Sequence, residues 1–252
     1  MKLFILGIFM LTASTIAAEN LTRNSVALAG TQLEDVMEII DTTGLRDRVS
    51  AAEKIASESA TLVSRIRLGI LYHEAALNFS FISTKKEKGW AAKSFLLLDS
   101  IYNADTSSAF RPYTAAYRAS AYALLAGESG SLKQLTEAFS LFEIAVKQYA
   151  DVCALPEFLR GSVAENLPGW MYRKHRFAKI DFESIISKYE ADKMYATPAL
   201  MSFSYWAWAN QHQKKKHRAK AVQYLNLAIE LDAAGKAGKK RASKLKAKLE
   251  KK

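Results

Sequence analysis

"AVQYLNLAIELD" (residues 221–232) places Ala221, Leu225 and Ala228 four and three residues apart, so the three share one face of a helix. A small residue lets two helix backbones approach, and a bulky one four positions on fills the gap one turn along. The same spacing occurs three times upstream, as Ala91, Phe95, Leu98, then Ala138, Phe142, Ala145, then Ala178, Phe182, Ile185. One helical face repeated four times cannot be buried alone. Stacking of neighbouring helices is the natural solution.

The rest of the body agrees. Helical periodicity predicts helices over 31–44 (closed by Gly44), 45–60, 61–82, 90–102, 112–126, 132–150, 156–166, 172–189, 198–212 and 217–231. Between them lie "NADTSSAFRP", "GESGS", "NLPG" and "ATP", which are turn and cap chemistry. Pro112, Pro156 and Pro198 fall where a first-turn proline loses no hydrogen bond. With only four prolines and eleven glycines, and no period-two alternation, the expected class is all-α.

Leu68-Gly69-x-x-Tyr72, together with Tyr205-x-x-Trp208-Ala209 and the "KAVQYLNLAIELD" helix, resembles the tetratricopeptide repeats. The resemblance implies a right-handed superhelical stack of antiparallel helix hairpins over residues 60–232, with N-terminal helices over 19–59. It also implies a concave surface of first helices that receives a peptide or a partner protein. The repeat spacing here is 47, 40 and 43 residues, longer than the family's roughly 34. Ala233 stands where the family closes with proline.

Residues 1–18 read as a signal peptide: Lys2, an apolar run from Leu3 to Leu11, then small residues ending in Thr15-Ile16-Ala17 or Ile16-Ala17-Ala18. An uncleaved anchor is the alternative, which the short apolar run disfavours. No cysteine follows the cleavage region, so a periplasmic or secreted protein is expected, not a lipoprotein. No later apolar run is long enough to cross a membrane. The single Cys153 makes no internal disulfide and reads as a small buried hydrophobe.

Charge is concentrated at one end. Residues 213–252 hold fourteen of the 36 basic and three of the 25 acidic residues. The body is left balanced, and the whole net charge of +11 sits in the last forty positions. Over 233–252 such density repels itself, so disorder or a frayed helix is expected, with Leu245 and Leu249 as a thin apolar stripe. Lys236, Lys239, Lys240, Arg241, Lys244, Lys246 and Lys248 are the candidate anion-binding residues of this tail.

Enzyme signatures do not accompany these features. His73-Glu74 lacks a second histidine four residues on, and no nucleophile elbow or phosphate-cradling glycine motif occurs. His212 and His217 flank "QKKK", whose positive field opposes a divalent cation. Catalysis, cofactors and metals are therefore not expected. The partner-binding candidates are Tyr113, Tyr117 and Arg118, which could line a groove, and Trp170 and Tyr172, which form a corner with "RKHR" (173–176). The expected function is an exported, non-catalytic scaffold that binds a peptide or protein in its groove. The alternative is binding of envelope polyanions or lipid head groups through the basic tail, with nucleic acid not expected as the ligand.

Overall fold

The computed structural model describes residues 21–37, 44–79, 88–106, 108–233, 235 and 238–251; the expected signal segment lies outside them. Among the described residues there are eleven α-helices and no strand. They are α1 (Arg23–Thr31), α2 (Leu45–Glu58), α3 (Leu62–Phe79), α4 (Trp90–Ala104), α5 (Arg111–Ser129) and α6 (Leu132–Tyr149). Then come α7 (Leu155–Glu165), α8 (Tyr172–Ala191), α9 (Pro198–Gln211), α10 (Arg218–Leu231) and α11 (Lys239–Glu250).

Local chemistry sets most boundaries. Pro112, Pro156 and Pro198 each lie in a first turn. The Ser131 and Thr197 side chains accept from the backbone N–H three residues on, capping α6 and α9. Gly130 ends α5 with φ of 69°, a left-handed conformation that costs glycine little.

From α2 onward consecutive helices pack as neighbours, and α3, α5, α7 and α9 each pair closely with the helix that follows, an arrangement compatible with a solenoid. The repeated register is the seam. All four alanines that begin it are buried, as are Phe142, Phe182 and Leu225. Phe95 is half-buried instead and stacks on Tyr122 with ring centroids 4.3 Å apart. At the α3–α4 crossing, Ser94 Oγ donates to the Gly69 carbonyl at 2.8 Å. A Cβ built on Gly69 would lie 2.6 Å from Leu98 Cδ2, so a larger residue would force Leu98 or the helix crossing to shift. Gly161 on α7 meets Phe182 of α8 in the same way, at 3.2 Å. Helix α5 touches α3, α4, α6 and α7. Surrounded on several sides, it is built from alanines, six of them buried.

The N-terminal region departs from the expected helix over 31–44. The helix starts earlier, at Arg23, because Thr22 and Ser25 form a capping box. Its continuation is broken at residues 32–37, a run of turns. There Arg67 donates to the Gln32 carbonyl at 2.6 Å and grips the Asp35 carboxylate with two nitrogens, drawing those groups out of a helical path. Residues 38–43 lie outside the described residues.

As a result α1 and the turns after it lie across the N-terminal ends of α3, α5, α7 and α9. Tyr113, near the start of α5, donates to the Val26 carbonyl at 3.0 Å, and its hydroxyl sits where a Cβ on Gly30 would be. Arg23 donates to the Asp151 carbonyl ahead of α7 and pairs with Asp192 ahead of α9. Val26, Ala29, Leu33 and Val36 are buried beneath.

The C-terminal segment is also corrected. Residues 239–250 form α11, which packs on α10 and α9 and buries Ala242, Leu245 and Leu249. Burial of a leucine side chain stabilises by about 1.5–3 kcal/mol, enough to hold a helix whose charges repel. Asp232 caps it by accepting from the Lys239 N–H at 3.0 Å. Gly238 makes the docking close: a Cβ there would meet the Ser202 carbonyl oxygen at 2.5 Å.

Candidate binding surfaces

The groove candidates on α5 are interior residues. Tyr117 is 1% exposed and packs edge-on against His73. The Tyr113 hydroxyl is engaged by Val26, and burial raises its pKa well above the usual phenol range. Arg118 is also buried; it pairs with Asp99 at 2.8 Å and lies 3.8 Å over the Tyr102 ring. The expected groove-lining role for these three is therefore corrected. Residues four apart do share a face of α5, but that face is covered by other helices.

Buried polar groups pin neighbouring helices in ways that sequence spacing did not reveal. Arg160 on α7 binds Asp181 on α8 through two nitrogens at 2.9 and 2.5 Å, both side chains being buried. Burial lifts Asp181 to about 6 against the pull of Arg160. Glu157 gathers Ser184, Lys188 and Tyr195, tying α7 to α8 and to the turn before α9. Partners 21 to 38 residues apart leave no local pattern.

A Ser–His–Glu chain is also present. His73 bridges Glu74 (Nδ1 to Oε1, 3.0 Å) and Ser120 (Nε2 to Oγ, 2.8 Å). The two ring nitrogens thus link neighbouring polar side chains, with the donor at each contact set by the imidazole tautomer. All three side chains are 2–3% exposed, so a substrate would find no approach to Ser120. The chain ties α3 to α5. Cys153 is similarly closed: it is buried, and burial pushes its thiol up to about 12. Among the described residues no three metal-ligating side chains converge. No helix there is long and apolar enough to cross a membrane.

Two of the candidate surfaces remain open. The first is the outward side of α11, where Lys240, Lys244, Lys248 and Lys251 follow one another at helical spacing and are exposed. At 1.5 Å per residue they form a row about 16 Å long. Arg241 lies beside it, 5.0 Å over the Trp206 ring. Lys248 donates to the Gln213 side chain at 3.2 Å, which brings the row against the turn that carries Lys214, Lys215 and Lys216. At this turn desolvation, then Lys216, His212, Lys179 and Lys214, hold the His217 imidazole below the usual range. Of the seven tail candidates, Lys239 and Lys246 are half-buried, and Lys246 pairs with Glu250. Lys236 lies outside the described residues.

The second open surface is the corner before α8. Trp170 sits on a 3-10 turn, Gly169–Met171, and is 67% exposed. It borders a cleft of about 230 Å³ with Leu132, Leu135, Thr136, Met171, Arg173 and Lys174. The Tyr172 backbone begins α8, and its side chain lies outside the described residues. No family model, curated protein or solved structure matches the chain.

Proposed function

We propose that this protein is an exported, non-catalytic binding protein that docks on anionic surfaces through the outward side of α11. The proposal includes a tetratricopeptide-like right-handed superhelix of antiparallel hairpins as the rigid mount. The observation that carries it is a lysine row on a helix whose other side is anchored by Ala242, Leu245 and Leu249. A solubilising tail needs no such anchor. An anchored row holds its charges in a fixed plane that a lipid head-group layer can meet. The exposed side of α11 carries no large apolar residue, so contact would be electrostatic and not insertive. Each lysine near an anionic membrane contributes about 1 kcal/mol, so four or five give weak, salt-sensitive binding of about 4–5 kcal/mol.

Truncation of the tail is a poor test, because removing α11 uncovers α9 and α10. Charge reversal at outward positions is cleaner. The variant Lys240→Glu/Lys244→Glu/Lys248→Glu should lose at least about 100-fold in partition onto phosphatidylcholine/phosphatidylglycerol vesicles at low salt, with unchanged helical circular dichroism. Unchanged partition would remove the proposal. Export is tested separately: mass spectrometry should find Ala18 or Glu19 at the mature N-terminus, and intact Met1 in the envelope fraction would count against it.

A second reading, in which the odd-numbered helices receive a peptide, is favoured by one observation: α1 already lies on their ends as a short helix. A chain lacking residues 22–37 should capture a synthetic 22–37 peptide if it stays helical. Absence of capture by a helical truncated chain would end that reading.

A further inference from the structure

Trp170 is the one exposed tryptophan of the four, although an indole is ordinarily spent on packing. Its position is fixed. The Met171 N–H donates to the Pro168 carbonyl at 2.9 Å, and His175 Nε2 meets the same oxygen at 3.1 Å. The turn is thus tied to the first coil of α8 and presents the ring at the cleft mouth.

Across the cleft, Leu132 is 56% exposed at the start of α6, so two large apolar side chains flank one depression without covering each other. A volume of about 230 Å³ is below the roughly 300–1,000 Å³ of small-molecule sites, which points to inserted side chains and not a cofactor. The lining is also one-signed. The Lys174 ammonium stands on it, and among the described lining residues no carboxylate does. The Lys174 ammonium lies 4.6 Å over the Phe139 ring, a contact that holds its charge beside the cleft.

We propose that this cleft docks an acidic amphipathic peptide segment of a partner protein. An apolar side chain of the segment enters between Trp170 and Leu132, and its carboxylates face Lys174. The surface is separate from the α11 row, and the proposal stands whether or not that row binds anions.

The test uses the full chain and a short synthetic peptide of leucines in helical register with glutamates between them. Calorimetric titration should show saturable binding, and tryptophan emission should shift to shorter wavelength as Trp170 is covered. Trp170→Ala and Lys174→Glu should each weaken binding about tenfold or more, with helical circular dichroism unchanged. Lys240→Glu/Lys244→Glu/Lys248→Glu should leave it unchanged, which separates this site from the α11 face. Equal binding of the same peptide with lysines for glutamates, or of polyglutamate, would overturn the assignment. So would full affinity in Trp170→Ala, or an emission shift with anionic vesicles and none with the peptide.

Discussion

Replacing Gly69 by alanine puts one methyl group between α3 and α4. That methyl would lie 2.6 Å from Leu98 Cδ2 and 2.7 Å from Leu98 Cγ. Leu98 is fully buried and cannot swing away, and the Ser94–Gly69 hydrogen bond resists separation of the helices. Overpacking of this kind costs about 1–3 kcal/mol. Alanine returns about 0.8–1 kcal/mol of helix propensity, so the net loss should be up to about 2 kcal/mol. Gly127, exposed on α5 with no neighbour within 4 Å of a built Cβ, is the internal control. Gly127→Ala should gain about 0.8–1 kcal/mol from propensity alone. Urea unfolding followed by helical circular dichroism would read both, and each kcal/mol moves Tm by about 2–4 °C in a chain of this size. Repeating Gly69→Ala in a Leu98→Ala background should remove its cost, because the methyl then enters the space vacated. If Gly69→Ala stabilised as much as Gly127→Ala, or cost the same without Leu98, the close crossing would be refuted.

Ala221→Leu, at a fully buried register position, should lose about 1–3 kcal/mol in the same unfolding assay, and no loss would mean that the face is open. Leu249→Ala should speed hydrogen exchange across residues 239–250 with little change in Tm, since α11 packs at one edge, on α10 and α9; exchange already fast in the unaltered chain would show that the helix is not anchored. Hydrogen bonding to Arg67 lowers the Asp35 pKa, and the Met194 N–H and then Arg23 lower that of Asp192. Both carboxylates therefore stabilise the fold above their unfolded value of about 3.8, and this is lost as pH falls through the lower folded values. Amides of residues 26–37 should lose protection below about pH 3.8 before those of α5 do, whereas simultaneous loss would show that α1 is not latched through these pairs.

Helix positions were legible because caps and first-turn prolines act locally, and the four-fold register because burial follows helical period. The first helix was misplaced because its capping box uses Ser25 where glutamate or glutamine is the usual sign, and because Arg67, 32 residues from Asp35, breaks the continuation. Spacing puts Tyr113 and Tyr117 on a shared face of α5 but does not show what covers it. In α11 the charge was legible and the anchor was only half so. Leu245 and Leu249 were visible as a stripe, but Ala242 and the receiving surface of α9 and α10 depend on tertiary packing. The Trp170 corner was legible because "NLPG" places a turn directly ahead of it. Its apolar wall at Leu132 and Leu135, from a different helix, was not.

Lysine acetylation footprinting of the full chain, with and without phosphatidylglycerol vesicles and read by mass spectrometry, tests the anionic-docking claim most directly. Lys240, Lys244, Lys248 and Lys251 should become protected together with Lys214–Lys216. Lys54 and Lys133, exposed on α2 and α6, should react as before. Protection spread evenly over all exposed lysines, or centred on Lys54 or Lys133, would contradict docking through α11.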